Sequence, residues 1–280
     1  MYLLSYFKED SESLFLAEST DGLNWNERNN GRPVFASSVG TRQIRDPFLI
    51  QDQSGRFHAL WTDGWSSRSI GYASSADLIH WEDERLIPVM EHMPDTQNTW
   101  APEAFYDKVH NLYRILWSST VAPGPRNHRI WSAATPDFRA FGEASLFFDP
   151  GYNVIDATVT DVDGNLLLLF KDERGHNAPG TDYKAIRSCS LTIGPEGAAF
   201  GPESEALTPP LTEGPTLYKL PEGSPLPWKW MMLTDGFHEG YYAAFGSADL
   251  KKWERVPREG CRLPDRIRHA SVITVTVQDQ

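Results

Sequence analysis

The sequence predicts an all-β protein: a five-bladed β-propeller whose fifth blade is closed by the C-terminal strand joining three N-terminal strands. Three observations predict it. A polar residue at the head of an apolar, strand-like run recurs as Asp46 in RDPFLI, Glu103 in WAPEAFY, Asp156 in NVIDATV, Glu213 in LTEGPTLY and His269 in IRHASVI, at intervals of 57, 53, 57 and 56 residues. A second series, Trp25, Trp81, Phe141, Phe200 and Trp253, recurs at 56, 60, 59 and 53 residues, and three of its members follow the similar turns STDGLNW, SSADLIHW and GSADLKKW. A repeat of about 55 residues marks an array or a propeller, and helical periodicity is absent over any long window.

The elements follow in order. Tyr2 to Phe7 and Leu14 to Glu18 read as strands, and Leu23-Asn24-Trp25 begins a third, broken by Asn29-Asn30-Gly31 and Pro33. The first complete unit opens at Asp46, with strands expected at Phe48–Gln51, Arg56–Asp63 and Ile70–Ser74 and a short segment around Trp81. The second unit repeats this from Glu103 (Glu103–Tyr106, Leu112–Ser118, Arg129–Ala133), with a Pro- and Gly-containing loop over Val121–His128. In the third, Ala157–Thr160, Leu166–Asp172 and Ala185–Leu191 are strands and Glu173–Asp182 is an exposed loop. The fourth has Pro215–Leu220, Trp230–Thr234 and Tyr241–Phe245, with a turn-rich insert at Pro221–Pro227. The fifth opening gives one strand, Arg268–Thr276, and the chain stops. One strand here and three at the N-terminus make the missing four-stranded unit, and closing the ring hides the sheet edges of a linear array. A β-sandwich of irregular pairs does not account for five units, one of them split.

Composition bounds the function. The 280 residues suffice for a large core and are expected to form one catalytic domain, 1–280. Apolar content is 40% and charged content 23%, an ordinary folded composition. The net charge of -12, without clustered Lys and Arg, disfavours nucleic acid and anionic membranes. No apolar run approaches the ~18 residues of a membrane span. Met1–Phe7 is too short, and lacks the basic start, for a secretory leader, so the expected location is cytoplasmic, or that of a processed secreted or periplasmic form. Cys189 and Cys261 match no metal or redox spacing and are expected as free thiols.

In a propeller the first strand of each blade lines the axis, so the heads Asp46, Glu103, Asp156, Glu213 and His269 are expected in one funnel. Two carboxylates in one pocket suit general acid and base work, as in glycosidic cleavage. A third raises the acid's affinity for its proton. No Walker motif and no GxSxG elbow appears. Trp100, next to a head, is the first candidate for a sugar platform. Trp65 and Phe237, in the segments TDGW and TDGF, are further candidates. Arg45 and Arg268 flank heads, where they bind substrate or pair with a channel carboxylate. Trp81 and Trp253 are expected to pack between blades.

In this order the motifs resemble the five-bladed glycoside hydrolases of family 43, which include arabinofuranosidases, arabinanases and xylosidases, over nearly the whole chain. The resemblance implies that Asp46, in Asp46-Pro47, is the general base. It implies that Asp156, in Ile155-Asp156, modulates the acid's pKa, and that Glu213, in Glu213-Gly214-Pro215, is the general acid. Trp100-Ala101-Pro102-Glu103 resembles the family's second-blade segment. His269 stands where the family often has a channel histidine contacting water or a metal–water cluster. The resemblance therefore implies no required cofactor, with a structural calcium held through water at His269 as an option. Arg45, before the base, and Ala157, after the modulator, depart from the family's usual residues and leave the sugar open. The expected function is an inverting exo-glycosidase acting on an oligosaccharide or polysaccharide side chain, first an α-L-arabinofuranosidase. β-Xylosidase or galactose-releasing activity and a non-catalytic carbohydrate-binding propeller are the alternatives.

Overall fold

The computed structural model describes residues 1–238 and 240–275. Four blades are consecutive antiparallel meanders. Blade I comprises β4 (Arg45–Gln51), β5 (Phe57–Thr62), β6 (Ile70–Ser75) and β7 (Trp81–Ile87). Blade II comprises β8 (Trp100–Asp107), β9 (Leu112–Ser119), β10 (Arg129–Thr135) and β11 (Ser145–Phe148). Blade III comprises β12 (Val154–Val162), β13 (Asn165–Asp172), β14 (Ile186–Gly194) and β15 (Gly197–Phe200), and blade IV comprises β16 (Glu213–Lys219), β17 (Trp230–Gly236), β18 (Tyr241–Ser247) and β19 (Glu254–Val256). Blade V is split as expected: β20 (Ile267–Thr274) pairs antiparallel with β1 (Tyr2–Lys8), followed by β2 (Ser11–Ser19) and β3 (Asn26–Glu27). The expected end of the last strand, Thr276, lies outside the described residues. The inner strands β4, β8, β12, β16 and β20 touch one another around a closed ring.

Packing explains the closure. Five buried clusters fill the five seams between blades. The blade V–IV seam joins Leu4 and Tyr6 to Tyr218 and Met231, and the blade I–II seam joins Leu60 and Tyr72 to Ile115 and Trp117. Each cluster takes one of the late aromatics: Trp25, Phe141, Trp81, Phe200 and Trp253 in turn. They stand at the start or end of the short outer strands or just before them, so their large apolar area closes a seam.

The turns before the outer strands follow from sequence. Ser19, Ser75, Thr135 and Ser247 accept the N–H three residues on through their hydroxyls, at 2.8–2.9 Å. Asp21, Asp77, Asp137 and Asp249 then accept two further N–H groups each. Short polar side chains thus supply the backbone partners that the ladder has lost.

The inner strands differ from the sequence reading in one respect that matters for the site. They were expected to begin at Phe48, Glu103, Ala157, Pro215 and Arg268, but all begin earlier, with the head region at a bulge. The ladder slips between Arg45 and Phe48, Trp100 and Glu103, Ile155 and Thr158, and Glu213 and Thr216, and between Arg268 and Ser271 in blade V. At each slip one residue has positive φ: Asp46 (47°), Ala101 (47°), Asp156 (54°), Gly214 (55°) and His269 (32°). The true repeat of the inner strands is therefore 46, 101, 156, 214 and 269. Glu103 lies two residues beyond the bulge of its strand, and Glu213 one residue before the bulge of its own.

Candidate active site

The bulges build the site. A bulge breaks the alternation of a strand and re-aims the side chains on either side of it. Asp46, Asp156 and His269, at bulge positions, and Arg45, Ile155, Glu213, Trp100 and Arg268, one residue earlier, all line one cavity of about 320 Å³ at one end of the axis. Non-glycine residues with positive φ are strained by about 1–3 kcal/mol each and persist where the surroundings over-determine them. Four of the five bulge residues carry that strain.

A second ring holds the first. Thr62, Ser118, Lys171 and Asp235 occupy one register, each facing the residue before the bulge across its own blade. Each also reaches the next blade. Thr62 Oγ1 donates to Asp46 Oδ2 (2.7 Å) and accepts from Ala101 N–H (2.7 Å). Ser118 Oγ accepts from Asp156 N–H (3.1 Å), and Lys171 Nζ donates to Glu213 Oε2 (2.7 Å). Asp235 Oδ2 accepts from His269 N–H (3.3 Å) and from Arg268 Nε (2.6 Å).

The acidic heads have different surroundings. Asp46 Oδ1 lies 3.2 Å from His269 Nδ1 while its Oδ2 takes the Thr62 hydroxyl, so both oxygens are held. Asp156 is buried, and its Oδ2 accepts from Gly214 N–H at 3.0 Å. Burial pushes its carboxyl up to about 7; Glu213 and Asp46 add to the rise, and His269 and Lys171 oppose it. Glu213 is partly open to the cavity, bonded to Lys171, with Arg268 Nη2 3.9 Å from Oε1. For His269, burial works against the cation, but Asp46, Asp156, Glu213 and Glu103 together outweigh it and raise its pKa.

Glu103 departs from expectation. It does not line the cavity. Its place beyond the bulge buries it in the axis beside Thr158, where desolvation pushes its carboxyl up to about 8. A substrate contact from this position is replaced by an internal one.

The remaining candidates all border the cavity. Trp65 is 59% exposed and meets Trp100 edge-on, with centroids 5.7 Å apart. Trp100 is more enclosed, by His128 at 5.0 Å and by the Arg126 guanidinium at 4.7 Å, so Trp65 offers the freer face. Phe237 lies over the Lys171 ammonium at 4.4 Å. Arg45 pairs with Glu12 (2.6 Å) and covers Trp65 at 4.5 Å. Arg268 is tied to Asp235, with Glu9 at 3.3 Å. Cys189 and Cys261 are buried free thiols in blade III and beside β20.

Thr62, Lys171, Glu173, Asp235, Arg126, Asn177 and Glu9 were missed in the sequence. The first four have a signal in principle, a polar residue at or beside the end of each second strand, but it becomes visible only once the bulge register is known. Arg126 and Asn177 sit on loops without a repeat. His269 turns Nδ1 to Asp46, and among the described residues no group of three or more His, Cys, Asp or Glu is placed to hold a metal directly. Among the described residues no helix is long and apolar enough to cross a membrane.

Comparison with known proteins agrees with this fold. The family model described as a probable glycosyl hydrolase domain, related to family 43, matches residues 1–280. An α-L-arabinofuranosidase of Bifidobacterium longum subsp. longum is 27% identical over 98% of this chain, which spans 33% of that protein's length. A thermostable family-43 glycoside hydrolase superposes with a TM-score of 0.60 at 17% identity, covering 79% of this chain and 74% of its own. The native arabinanase of Bacillus subtilis does so at 0.57 and 19% identity, covering 81% and 78%. With the family model matching residues 1–280, the chain belongs to the family-43-related probable glycosyl hydrolases.

Proposed function

We propose that the protein is an inverting, exo-acting α-L-arabinofuranosidase. The observation that carries the hydrolytic reading is the convergence of Asp46, Asp156 and Glu213, from three blades, on one cavity. Glu213 donates its proton to the glycosidic oxygen as the bond from that oxygen to the anomeric carbon breaks. Water attacks the anomeric carbon from the opposite face and gives its proton to Asp46. Asp46 is oriented for this by Thr62 and His269, which hold one oxygen each. Asp156 fixes the backbone beside Glu213 through Gly214 N–H and tunes the field around the acid. His269 balances the negative charge of the three carboxylates.

Three features support the arabinofuranose reading. The similar Bifidobacterium longum protein is an α-L-arabinofuranosidase. The cavity is small and walled by Trp65, Trp100 and Phe237, which suits a terminal sugar ring better than a long chain crossing the site. Its cations are nearly all paired internally, which suits a neutral sugar. The test is hydrolysis of nitrophenyl α-L-arabinofuranoside, β-D-xylopyranoside, galactofuranoside and galactopyranoside by wild type and Glu213→Gln. Preferred release from the arabinofuranoside by wild type is expected, with Glu213→Gln losing activity on arabino-oligosaccharides, whose leaving groups need the proton, far more than on the activated nitrophenyl substrate. Preference for the xyloside or a galactoside would reassign the sugar. Release from none of them, nor from arabino-oligosaccharides, would favour a carbohydrate-binding propeller.

A further inference from the structure

We propose that Lys171 and Glu173 are positioning residues for the acid: a buried charge chain that holds Glu213 by one oxygen and stabilises the carboxylate formed as its proton leaves. This rests on the assignment of Glu213 as general acid. Lys171 fills the second-ring position that carries Thr62, Ser118 and Asp235 in blades I, II and IV and Phe7 in blade V, and among these residues it is the one cation. It is 2% exposed. An ammonium buried to that degree needs compensation, because desolvating an unpaired charge costs several kcal/mol.

The compensation is shared. Lys171 Nζ makes its aligned hydrogen bond to Glu213 Oε2 at 2.7 Å. It makes a charge contact, without hydrogen-bond alignment, to Glu173 Oε2 at 2.9 Å. The other oxygen of Glu173 lies 2.6 Å from Lys184 Nζ, which also donates to the Glu173 carbonyl at 3.1 Å. Glu213, Lys171, Glu173 and Lys184 therefore alternate in sign, and the Phe237 ring lies against the Lys171 ammonium. Asp156 from β12, Asp235 from β17, and Arg268 and His269 from β20 also act on Glu213 or Lys171, and His128 acts on Lys171, Glu173 and Lys184. For Lys171, burial opposes the charge and the carboxylates of Glu213, Glu173 and Asp156 outweigh it, so it stays an ammonium.

This arrangement has a specific consequence for proton donation. A general acid is neutral before transfer and anionic after it. While Glu213 is neutral, Glu173 still balances Lys171, so the ammonium stays in place. As the proton passes to the leaving oxygen, charge develops on Glu213 beside a fixed cation, and that interaction is stronger at the transition state than in the ground state. Holding Oε2 also leaves Oε1 as the oxygen that carries the proton. Without Glu173, the ammonium would have Glu213 as its main partner and would resist protonation of the acid.

Leaving-group dependence distinguishes this role from a structural one. 4-Nitrophenolate departs with little proton assistance, whereas the sugar oxygen of 1,5-α-arabinobiose needs it. Glu173→Gln and Lys171→Met are expected to lower turnover of arabinobiose at least ~10-fold more than turnover of 4-nitrophenyl α-L-arabinofuranoside, part of the ~10²–10⁴-fold that a general acid supplies. Thermal unfolding of both variants, run in parallel, identifies any variant that is not folded; Glu173→Gln, which keeps shape and hydrogen bonding, carries the test if Lys171→Met unfolds. Equal losses on the two substrates in folded protein overturn the proposal. Glu213→Gln is the control for the acid itself: if it shows no such dependence, the acid assignment fails whatever Glu173→Gln does. Wild type that cleaves neither substrate overturns the arabinofuranosidase reading.

Discussion

Asp156 accepts a hydrogen bond from the N–H of Gly214, 3.0 Å from its Oδ2, and Gly214 is the residue that follows Glu213. The Asp156 carboxylate of blade III is thus tied to the backbone that carries Glu213, the proposed acid, in blade IV. The same bond needs the bulge: Gly214 has φ 55°, and a Cβ there would stand 3.0 Å from the His269 ring.

Gly214→Ala is therefore expected to destabilise the fold by about 1–3 kcal/mol, from left-handed strain and a clash with a packed ring. It is also expected to lower kcat, because His269 and the Asp156 bond shift together. Urea unfolding and steady-state kinetics check both. An alanine variant with unchanged midpoint and unchanged kcat would show that the bulge does not aim the acid.

The architecture was legible in the sequence because its determinants are local. The Ser/Thr-x-Asp turns make their own hydrogen bonds, and the late aromatics fill one seam each, so both leave a regular trace. Asp46, Asp156 and His269 were legible for a related reason, since all three occupy the bulge. The bulge itself was not legible. Its backbone is adopted by Asp, Ala, Gly and His alike, so no residue type marks it. That is why Glu103 was placed in the funnel, when a displacement of two residues puts it in the buried axis. It is also why Lys171 and Asp235 passed as ordinary strand ends: their partners lie one blade away, across a register that only the three-dimensional ladder defines.

Glu103 makes pH a test of its burial. Its folded pKa is pushed up to about 8 by desolvation, above the ordinary carboxylate range. The native state therefore holds a proton that the unfolded chain releases at lower pH. The associated stability is fully present below about pH 4.5 and is lost as pH rises through about 8. Glu103→Gln, which is neutral at every pH, should be more stable than wild type by about 4 kcal/mol near pH 8 and equal to it near pH 4. Chemical denaturation at several pH values measures the difference; a difference that stays constant with pH would contradict the buried, neutral Glu103.

Asp156 is expected to bear on the pH dependence of activity. Burial pushes it up to about 7, and a proton held among interacting carboxylates belongs to the group rather than to one residue. Its ionisation changes the charge held beside Gly214 and Glu213. kcat/KM for arabinobiose is expected to fall above pH about 7, by roughly tenfold per pH unit once the limb is reached. In Asp156→Asn the limb should move. The pH profiles of the two proteins decide; an identical basic limb in the variant would separate Asp156 from the acid.

The stereochemistry of the first product tests the division of labour between Asp46 and Glu213 most directly. Proton NMR of an α-L-arabinofuranoside digest, recorded before mutarotation, should show β-L-arabinose as the first sugar released, because water activated by Asp46 attacks from the face opposite the bond that Glu213 protonates. Initial release of the α anomer would mean retention through a covalent intermediate, and would contradict Asp46 as a general base.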